Sequence, residues 1–588
     1  MRQVVLTLLL LSLVHVATAQ EKTKHWIFLT DKLDAASKHT LVESGYLSEA
    51  AVTRRALRGD PGLVTQFARQ DAPISQAYEA DLTTMGITVA QRSRWLNAVT
   101  AWLSAEEVNR VTALPYVRNV RPVAHLRPSV LPNTPVSTVI AKRTSSSCPS
   151  NFYGPSCAQL DVVNAIPPLE RGINGQGVTL GFLDTNYSIP GESPFSHSSL
   201  VHIRDSGRLI EARDFSERDP TQPCNGTNTH GLNVASVAVG FREGDLIGPG
   251  HGASIYAAKT ECAPYERNIE EDNFVAAVEW LESEGVDVMT SSLGYFDFDT
   301  GQHSYTVSDL DGDTGLTTIA YDWAAQRGVV TITSAGNEGP GGASIITPAD
   351  GDSVISVGGV FSSGLIVSFS SRGPTADGRI KPDVSAQAAA VVIASRSGGY
   401  GLNNGTSFSA PMVAGIVTQI MQANPGLGPR EVWHVLTSTA SQSTNPDNEL
   451  GWGIVNADAA VMTAVLLNRS NQTTPVPGNL TVHPPYPNPF KSTAHFTIEA
   501  FEPVLHARLA IFDMLGREVA TVYEGPINAG GMPIAFDGTH LPSGVYAYSL
   551  EVDGSVQSGM ITRLRHYALR ALIHAADLAR QTCLHFLS

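Results

Sequence analysis

Short apolar runs alternate with stretches of helical periodicity in the middle of the chain. Runs of strand length occupy residues 178–183, 254–258, 286–289, 329–333, 354–357 and 391–394. Among them, apolar residues recur at helical spacing in residues 232–239, 273–284, 317–327 and 407–422. Nearly continuous apolar strands that alternate with helices are typical of a parallel sheet that is covered on both faces. The pattern therefore predicts an α/β domain at about residues 150–466, with a mostly parallel sheet and helices on both faces.

A smaller α/β pattern precedes this domain, at residues 20–125. Residues 95–103 alternate like a strand, and Ser104 and Glu107 then have the spacing of a capping box. A helix is predicted from there to about Leu114, and residues 116–123 return as a strand. The elements predict a small strand, helix, strand module.

A β pattern follows the central domain, at about residues 482–565. Short alternating strands separated by Gly and Pro turns predict a small β-sandwich there. Residues 126–149, rich in Pro, Ser and Thr, and residues 467–481, rich in Asn, Thr and Pro, are predicted to be linkers. Residues 566–588 continue past the sandwich with a helical pattern, as an atypical tail.

The first 19 residues have the pattern of a secretory signal peptide. Arg2 is followed by an apolar run at residues 4–14, and Ala17-Thr18-Ala19 forms a cleavage site before Gln20. A membrane anchor needs about 20 apolar residues, and this run is too short. No other segment is long and apolar enough, so we predict an exported protein with no transmembrane span after processing.

Composition supports several globular domains and an acidic surface. The chain has 588 residues, for which the length prior is roughly four domains. Hydrophobic residues make up 42% and charged residues 16%, as in folded rather than disordered chains. Lys and Arg number 39 against 55 Asp and Glu, a net charge of -16, which argues against nucleic acid as a partner.

Four polar residues of the central domain stand where chemistry is expected. Ser407 begins a helical pattern just after Gly405, and a serine hydroxyl becomes a nucleophile when it has a neighbouring base and donors for the oxyanion. Asp184 ends a strand-like run, His230 opens a helical pattern, and Asn337 follows the run 329–333. Since sites in parallel sheets lie at the carboxyl ends of strands, Asp184 and Asn337 are expected at one edge.

The motifs around these residues resemble those of subtilisin-type serine endopeptidases. The quoted motifs are Leu183-Asp184-Thr185, His230-Gly231, Ser334-Ala335-Gly336-Asn337-Glu338-Gly339 and Gly405-Thr406-Ser407-Phe408-Ser409-Ala410-Pro411. Asp, then His, then Ser is the chain order of subtilisin. The resemblance implies a subtilisin-like fold, Ser407 as nucleophile, His230 as general base, Asp184 as the group that orients His230, and Asn337 in the oxyanion hole.

Three residues depart from the family pattern. Leu232 and Asn233 follow Gly231 where the family usually has Thr and a small or polar residue, and Asn186 replaces a Gly. None of the changes removes a catalytic group.

The resemblance also implies two peptide-binding stretches. Ser292, Leu293 and Gly294 would pair with an extended peptide, and the second stretch would line the first specificity pocket. That second stretch is Ser334, Ala335 and Gly336. The alternative for the first stretch is an ordinary strand end. Neither stretch contains an acidic residue, so a strict preference for basic side chains is not indicated.

An acidic loop has oxygen ligands at alternate positions. Asp309, Asp311 and Asp313 surround Gly312, as in a calcium loop, but Ala320 stands where an EF-hand has its final Glu. A structural calcium ion and a solvated acidic turn both remain open. No cofactor is expected for catalysis.

Export permits disulfide bonds. We expect Cys148 with Cys157 and Cys224 with Cys262, which leaves Cys583 over. Four cysteines permit three pairings, and free buried thiols are the alternative.

The flanking domains have resemblances of their own. The module at 20–125 resembles the inhibitory propeptide of subtilisin-type enzymes. The alternative is a generic packing or adhesion module. The motifs Tyr486-Pro487-Asn488-Pro489-Phe490, the stretch 510–518 and Leu541-Pro542-Ser543-Gly544-Val545-Tyr546 resemble the C-terminal sorting domain of the bacterial type IX secretion system. A generic carbohydrate-binding or adhesive module is the alternative there.

These observations predict a serine endopeptidase made as a zymogen. It would pass through the periplasm of a bacterium by the type IX secretion machinery, be secreted or attached to the cell surface, and hydrolyse proteins or peptides. The alternative from another class is a non-catalytic binding or surface protein on a protease fold. Transpeptidase or esterase action by the same acyl-enzyme is a third reading.

Overall fold

The structure is a computed structural model, and it describes most of the chain in two compact units. The described residues are 22–32, 46–60, 69–123, 150–216, 228–261, 271–296, 305–471, 480–488, 490–500, 502–513, 517–542, 544–552 and 555–563. Residues 22–32 and 69–123 form the first unit, and the other described residues form the second. The predicted signal peptide, the linker 126–149 and the tail 566–588 lie outside the described residues.

The first unit is a four-stranded antiparallel sheet with two helices. Its elements are β1 (Thr23–Leu29), α2 (Gln76–Thr84), β2 (Val89–Ser93), β3 (Ala98–Leu103), α3 (Ala105–Thr112) and β4 (Val117–Pro122), with α1 (Glu49–Arg58) between β1 and α2 in sequence but in the second unit. The strand order is β2-β3-β1-β4. The predicted capping box is present, since Ser104 Oγ accepts from Glu107 N and Glu107 Oε2 accepts from Ser104 N. Strand β3 begins later than predicted because Asn97 turns the chain with a φ of 50°.

The second unit is built around a seven-stranded parallel sheet. The strands described between residues 179 and 403, seven of which form this sheet, are β5 (Thr179–Asp184), β6 (Leu209–Asp214), β7 (Phe241–Arg242), β8 (Leu246–Ile247), β9 (Ser254–Lys259), β10 (Val288–Ser291), β11 (Val330–Ser334), β12 (Val354–Val360), β13 (Val384–Gln387), β14 (Val391–Ala394) and β15 (Tyr400–Asn403). The sheet order is β13-β12-β11-β10-β5-β9-β6. Every neighbouring pair in it is parallel, which confirms the predicted α/β class.

Helices lie along this region of the chain. They are α4 (Ser150–Tyr153), α5 (Cys157–Val162), α6 (Ile166–Glu170), α7 (Val201–Asp205), α8 (His230–Val239), α9 (Glu271–Glu284), α10 (Leu316–Gln326), α11 (Thr406–Ala423), α12 (Pro429–Thr439) and α13 (Ala457–Asn471). Helix α11 is buried from Thr406 to Met421, as expected of a helix that is apolar all round. Its first turn carries Ser407.

The edges of the sheet differ from the prediction. The run 391–394 is a strand, but it pairs antiparallel with β15 outside the seven-stranded sheet. Strands β6 and β13 occupy the two edges instead, and the sequence pattern did not predict them. Strand β6 is partly exposed along its length, and β13 is short and contains Ser385 and Gln387, so neither has a continuous apolar run.

The C-terminal region is a β-sandwich, as predicted. Its strands are β16 (Leu480–Tyr486), β17 (Thr493–Ala500), β18 (Val504–Phe512), β19 (Glu518–Ile527), β20 (Gly530–Asp537), β21 (Gly544–Val552) and β22 (Ser555–Arg563). They form the antiparallel sheets β16-β17-β20 and β19-β18-β21-β22 around a single apolar core. Helix α13 extends to Asn471, into the predicted linker 467–481, and residues 472–479 lie outside the described residues.

Candidate active site

Asp184 and His230 are joined by a short hydrogen bond. Asp184 is the last residue of β5 and is fully buried. Its Oδ1 lies 2.8 Å from His230 Nδ1 and also accepts from Thr185 N at 2.7 Å. Because an ionised carboxylate can only accept, Nδ1 carries the proton and Nε2 is the basic nitrogen. The pair therefore has the tautomer that a general base requires.

Two side chains, those of Asn228 and Thr185, hydrogen-bond to backbone N–H groups at the start of α8. Asn228 Oδ1 accepts from His230 N at 2.9 Å, and Thr185 Oγ1 accepts from Gly231 N at 3.0 Å. These bonds satisfy two of the N–H groups that a helix start leaves open. A Cβ on Gly231 would lie 3.0 Å from both the Thr185 carbonyl oxygen and the Tyr187 ring, so a side chain there is disfavoured.

The family departures after Gly231 fit the buried face of α8. Leu232 is fully buried, and Asn233 is buried with its Nδ2 donating to Ala394 O at 2.5 Å. Asn186 O accepts from Leu232 N at 2.9 Å, a bond made by the backbone. None of these contacts displaces His230.

Ser407 is the second residue of α11. Gly405 caps this helix with a φ of 142°, a conformation that favours glycine. The Ser407 hydroxyl lies 3.5 Å from Ser292 O, which is long for a hydrogen bond between two oxygens. The His230 ring packs against Phe408, with ring centroids 5.9 Å apart. The fold thus brings His230 to the turn of α11 that carries Ser407.

Asn337 is oriented by Thr406. Asn337 Oδ1 accepts from Thr406 N at 3.0 Å and lies 3.1 Å from Thr406 Oγ1, which is also 3.0 Å from Gly336 O. A backbone N–H can only donate, so the oxygen of the Asn337 amide must face Thr406. Its Nδ2 is left as the donor group beside the start of α11. No role was predicted for Thr406 from the sequence, although its place directly before Ser407 was a signal.

The two predicted peptide-binding stretches lie at the carboxyl ends of neighbouring parallel strands. Ser292, Leu293 and Gly294 follow β10, and the second stretch, 334–336, ends β11. Leu293, Ser334 and Ala335 are buried, so these stretches present backbone more than side chains. Ser292 Oγ donates to Ser407 O at 2.7 Å, a supporting contact for the helix start.

Two glycines of these stretches lie in crowded positions. A Cβ on Gly294 would lie 2.2 Å from Ile346, and Gly336 has a φ of 111° with Ser371 Oγ 2.6 Å from the ideal Cβ position. The backbone conformation of Gly336 therefore favours glycine, whereas a side chain at position 294 would require the Ile346 side chain to move. Their role in peptide binding stays a prediction.

Carboxylates of the acidic loop that was predicted to bind calcium accept hydrogen bonds from nearby backbone N–H groups. Asp311 Oδ1 accepts from Asp313 N and Thr314 N at 2.9 Å, and Asp309 Oδ2 accepts from Thr306 N at 2.7 Å. Within the described ranges, no three His, Cys, Asp or Glu side chains are grouped to hold a metal ion. The Asp309 and Asp311 carboxylates thus accept hydrogen bonds within their own turns. Calcium binding by Asp309, Asp311 and Asp313 stays a prediction.

The described residues include one of the five cysteines, Cys157. Cys157 is disulfide-bonded. The other four cysteines lie outside the described residues, so Cys148–Cys157 and Cys224–Cys262 stay predictions.

The fold and the site place the chain among serine peptidases. Three family models match it: "Subtilase family" at residues 175–453, "Peptidase S8 propeptide domain, Bacteroidota" at 24–135 and "Secretion system C-terminal sorting domain" at 485–562. The chain belongs to the subtilase family, which confirms the resemblance seen in its motifs.

Known relatives agree with this assignment. A subtilisin of Bacillus pumilus is 31% identical over 297 residues, which cover 49% of this chain and 93% of the relative. Serine protease AprX of Bacillus subtilis (strain 168) is 28% identical over 320 residues, covering 49% of this chain and 67% of the relative. The crystal structure of the epidermin leader peptide processing serine protease EpiP from Staphylococcus aureus matches with a TM-score of 0.51 at 12% identity, over 75% of this chain and 98% of that chain. This last likeness shows the fold alone.

The sorting domain identifies the route of the protein. Its match at residues 485–562 indicates a protein that is secreted or attached to the cell surface, with secretion machinery as a partner. In the parts of the chain that the structure describes, no helix combines the length and apolar character needed to cross a membrane.

Proposed function

We propose that the protein is a secreted serine endopeptidase, made as a zymogen, that uses Asp184, His230 and Ser407 as a catalytic triad. The observation that carries the proposal is the 2.8 Å hydrogen bond between Asp184 Oδ1 and His230 Nδ1, formed where α8 meets the start of α11. It leaves His230 Nε2 as the base beside a serine at a helix start.

In the proposed mechanism, His230 takes a proton from Ser407 and passes it on to the leaving amine. Ser407 Oγ attacks the carbonyl carbon of the scissile peptide while His230 Nε2 takes the hydroxyl proton. Asp184 stabilises the imidazolium that forms, and its burial makes the interaction strong. His230 then gives the proton to the leaving amine, and water releases the acyl group by the same steps in reverse order.

The oxyanion would be held by two donors. Asn337 Nδ2 is the first, because Thr406 fixes the amide with its oxygen turned away. The second is the backbone N–H of Ser407, in the first turn of α11, where helix N–H groups lack an intrahelical acceptor. Donors held in place before the reaction stabilise charge without reorganising.

Substrates would be extended peptides of proteins. Residues 292–294 follow β10, and residues 334–336 begin at the last residue of the neighbouring strand β11, so an extended chain can pair with their backbone in the manner of an added strand. Backbone pairing selects for extended conformation more than for particular side chains.

The test compares the chain from Gln20 onward with its Ser407→Ala variant. We expect casein hydrolysis, labelling by a fluorophosphonate, and loss of about the first 100 to 130 residues by mass spectrometry in the parent. Ser407→Ala should lose labelling and about 10⁶-fold in kcat, the size found in subtilisin. Ser409→Ala is the matched control, since Ser409 lies in the same helix with its hydroxyl bonded to Thr406 O at 2.8 Å.

Other outcomes would reject the proposal. If the parent and both variants are folded by circular dichroism but none labels or hydrolyses casein, the non-catalytic binding protein is the better reading. If the parent labels but transfers the acyl group to an added amine or cleaves only esters, product analysis will show the transpeptidase or esterase instead.

A further inference from the structure

Helix α1 belongs to the second unit although the chain around it belongs to the first. Residues 46–60 lie in sequence between β1 and α2, yet they pack with the peptidase region. Backbone hydrogen bonds join both ends of this segment to that region, from Ser48 N to Ser283 O and from Asp60 N to Gln326 O, each 2.9 Å long. We refer to residues 46–60 as the anchor segment.

Arg54 is the central contact of the anchor segment. Its side chain is 1% exposed, and it pairs with Glu282, which is fully buried. Its guanidinium also donates to Val286 O at 2.9 Å and to Glu282 O at 3.0 Å. A planar guanidinium with so many acceptors is held in one orientation. The contact is therefore specific for arginine.

Two further arginines on the same helix complete the contact. Arg55 donates to both oxygens of Glu282, from Nε at 2.8 Å and from Nη2 at 2.6 Å. Arg58 pairs with Asp287, whose other carboxylate oxygen accepts from Thr179 N at 2.8 Å. The peptidase region thus presents two acidic side chains to three basic ones. We call Glu282 and Asp287 the carboxylate pair.

The electrostatics of Glu282 match this arrangement. Burial by itself would raise the pKa of the Glu282 carboxyl, but the positive charges of Arg55, Arg54 and Arg327 outweigh it and hold that pKa at about 2. Burial lowers the pKa of Arg54 to about 10, so the guanidinium stays charged at neutral pH. Both partners are therefore ionised under ordinary conditions.

The anchor segment lies at the edge of the sheet opposite to the catalytic edge. Asp287 contacts the first residue of β5, whereas Asp184 is the last residue of that strand, roughly 16 Å away at the usual rise of a strand. Arg58 also lies 3.9 Å from Met421 Sδ, near the end of α11, while Ser407 is at its start, about 21 Å away along the helix. The segment leaves the active site uncovered.

We propose that residues 46–60 are a dedicated anchor that binds the carboxylate pair Glu282 and Asp287 on the peptidase region independently of the active site. The partner of this site is an arginine-bearing helix of the chain itself. When the helix leaves, water can solvate both carboxylates, so the contact is suited to reversible release. The inference concerns binding and does not depend on the proposed peptidase activity.

The test measures hydrogen exchange in the chain from Gln20 onward that carries Ser407→Ala. This substitution prevents self-cleavage if the proposed function is correct, and otherwise it should not affect exchange in α1. In this parent, amides of Val52 to Arg58 should be protected. Glu282→Gln leaves a buried guanidinium without its counter-charge and should speed their exchange by at least about 100-fold. Arg55→Gln, at a less buried arginine, should speed it by about tenfold.

The controls separate local from general effects. Arg92→Gln breaks an exposed pair with Glu79 in the first unit and should leave exchange in α1 unchanged. Amides of β10 and β11 report whether the peptidase region stays folded, and Arg55→Gln serves if Glu282→Gln unfolds it. The proposal is overturned if α1 of the parent exchanges like an unfolded segment, or if Glu282→Gln and Arg55→Gln exchange no faster than Arg92→Gln. Casein hydrolysis is measured separately with the chain that keeps Ser407. A lack of activity in that assay does not affect the exchange result.

Discussion

Thr406→Val tests whether the orientation of Asn337 contributes to catalysis. Valine has the shape of threonine without its hydroxyl, and Thr406 is fully buried, so packing is kept. The change removes the contact from Thr406 Oγ1 to Asn337 Oδ1 and keeps the one from Thr406 N. Gly336 O also keeps a donor, Ser371 N at 3.0 Å.

The expected loss is small and falls on kcat. One hydrogen bond is worth about 1 kcal/mol, which corresponds to about fivefold in rate. The loss of a whole oxyanion donor costs about 100- to 1000-fold in subtilisin, so Asn337→Leu should be far more severe. KM should not change, because Thr406 acts on a group that is engaged in the transition state.

The assay is a double-mutant cycle on a chromogenic peptide. Thr406→Val, Asn337→Leu and the double variant are compared with the parent, and Thr406→Ser should restore the rate because it restores the hydroxyl. If Thr406 acts through Asn337, adding Thr406→Val to Asn337→Leu should cost nothing further. Equal fivefold losses in both backgrounds, or no rescue by Thr406→Ser, would show that Thr406 does not act through Asn337.

Three further predictions concern stability. Lys381→Met should destabilise the Ser407→Ala chain by about 3 kcal/mol in denaturant unfolding, since it leaves the buried Asp383 carboxylate, 2.8 Å from Lys381 Nζ, without its counter-charge; an unchanged midpoint would contradict this. Lys32→Met should destabilise the first unit by about 3 kcal/mol, because the Lys32 ammonium lies 2.5 to 3.1 Å from four backbone carbonyl oxygens. The control Lys22→Met, at an exposed lysine, should cost under about 1 kcal/mol. Hydrogen exchange of the amides in β1 to β4 compares the two variants. The pKa of Glu282 is about 2 when folded and 4.5 ordinarily, so its contribution to the anchor is fully present above pH 4.5 and is lost as the pH falls toward 2. Exchange in α1, corrected for the intrinsic rate, should therefore rise between pH 5 and pH 2.5, and a flat profile would count against the ion pairs.

The elements that the sequence predicted well are those with a local cause. The capping box at Ser104 needs two side chains and two backbone groups within one turn of helix, and it forms as predicted. The starts of α8 and α11 follow from Gly, Asn and Ser next to apolar helical runs. The chain order of Asp184, His230 and Ser407 already pointed to the family. Periodicity and capping act over a few residues, so they can be read along the chain.

Features that depend on contacts between distant residues could not be predicted from the sequence. Whether an apolar run joins the sheet depends on which strand lies beside it. Residues 391–394 pair with β15 outside the seven-stranded sheet, and β6 and β13 are its edge strands. Thr406 contacts Asn337, which lies 69 residues earlier in the chain. Arg54 meets Glu282 across 228 residues, and no pattern along residues 46–60 indicates an acidic partner. The local elements and the chain order of the predicted catalytic groups can be inferred from the sequence alone, whereas contacts, burial and charge pairing are properties of atoms that the whole fold brings together.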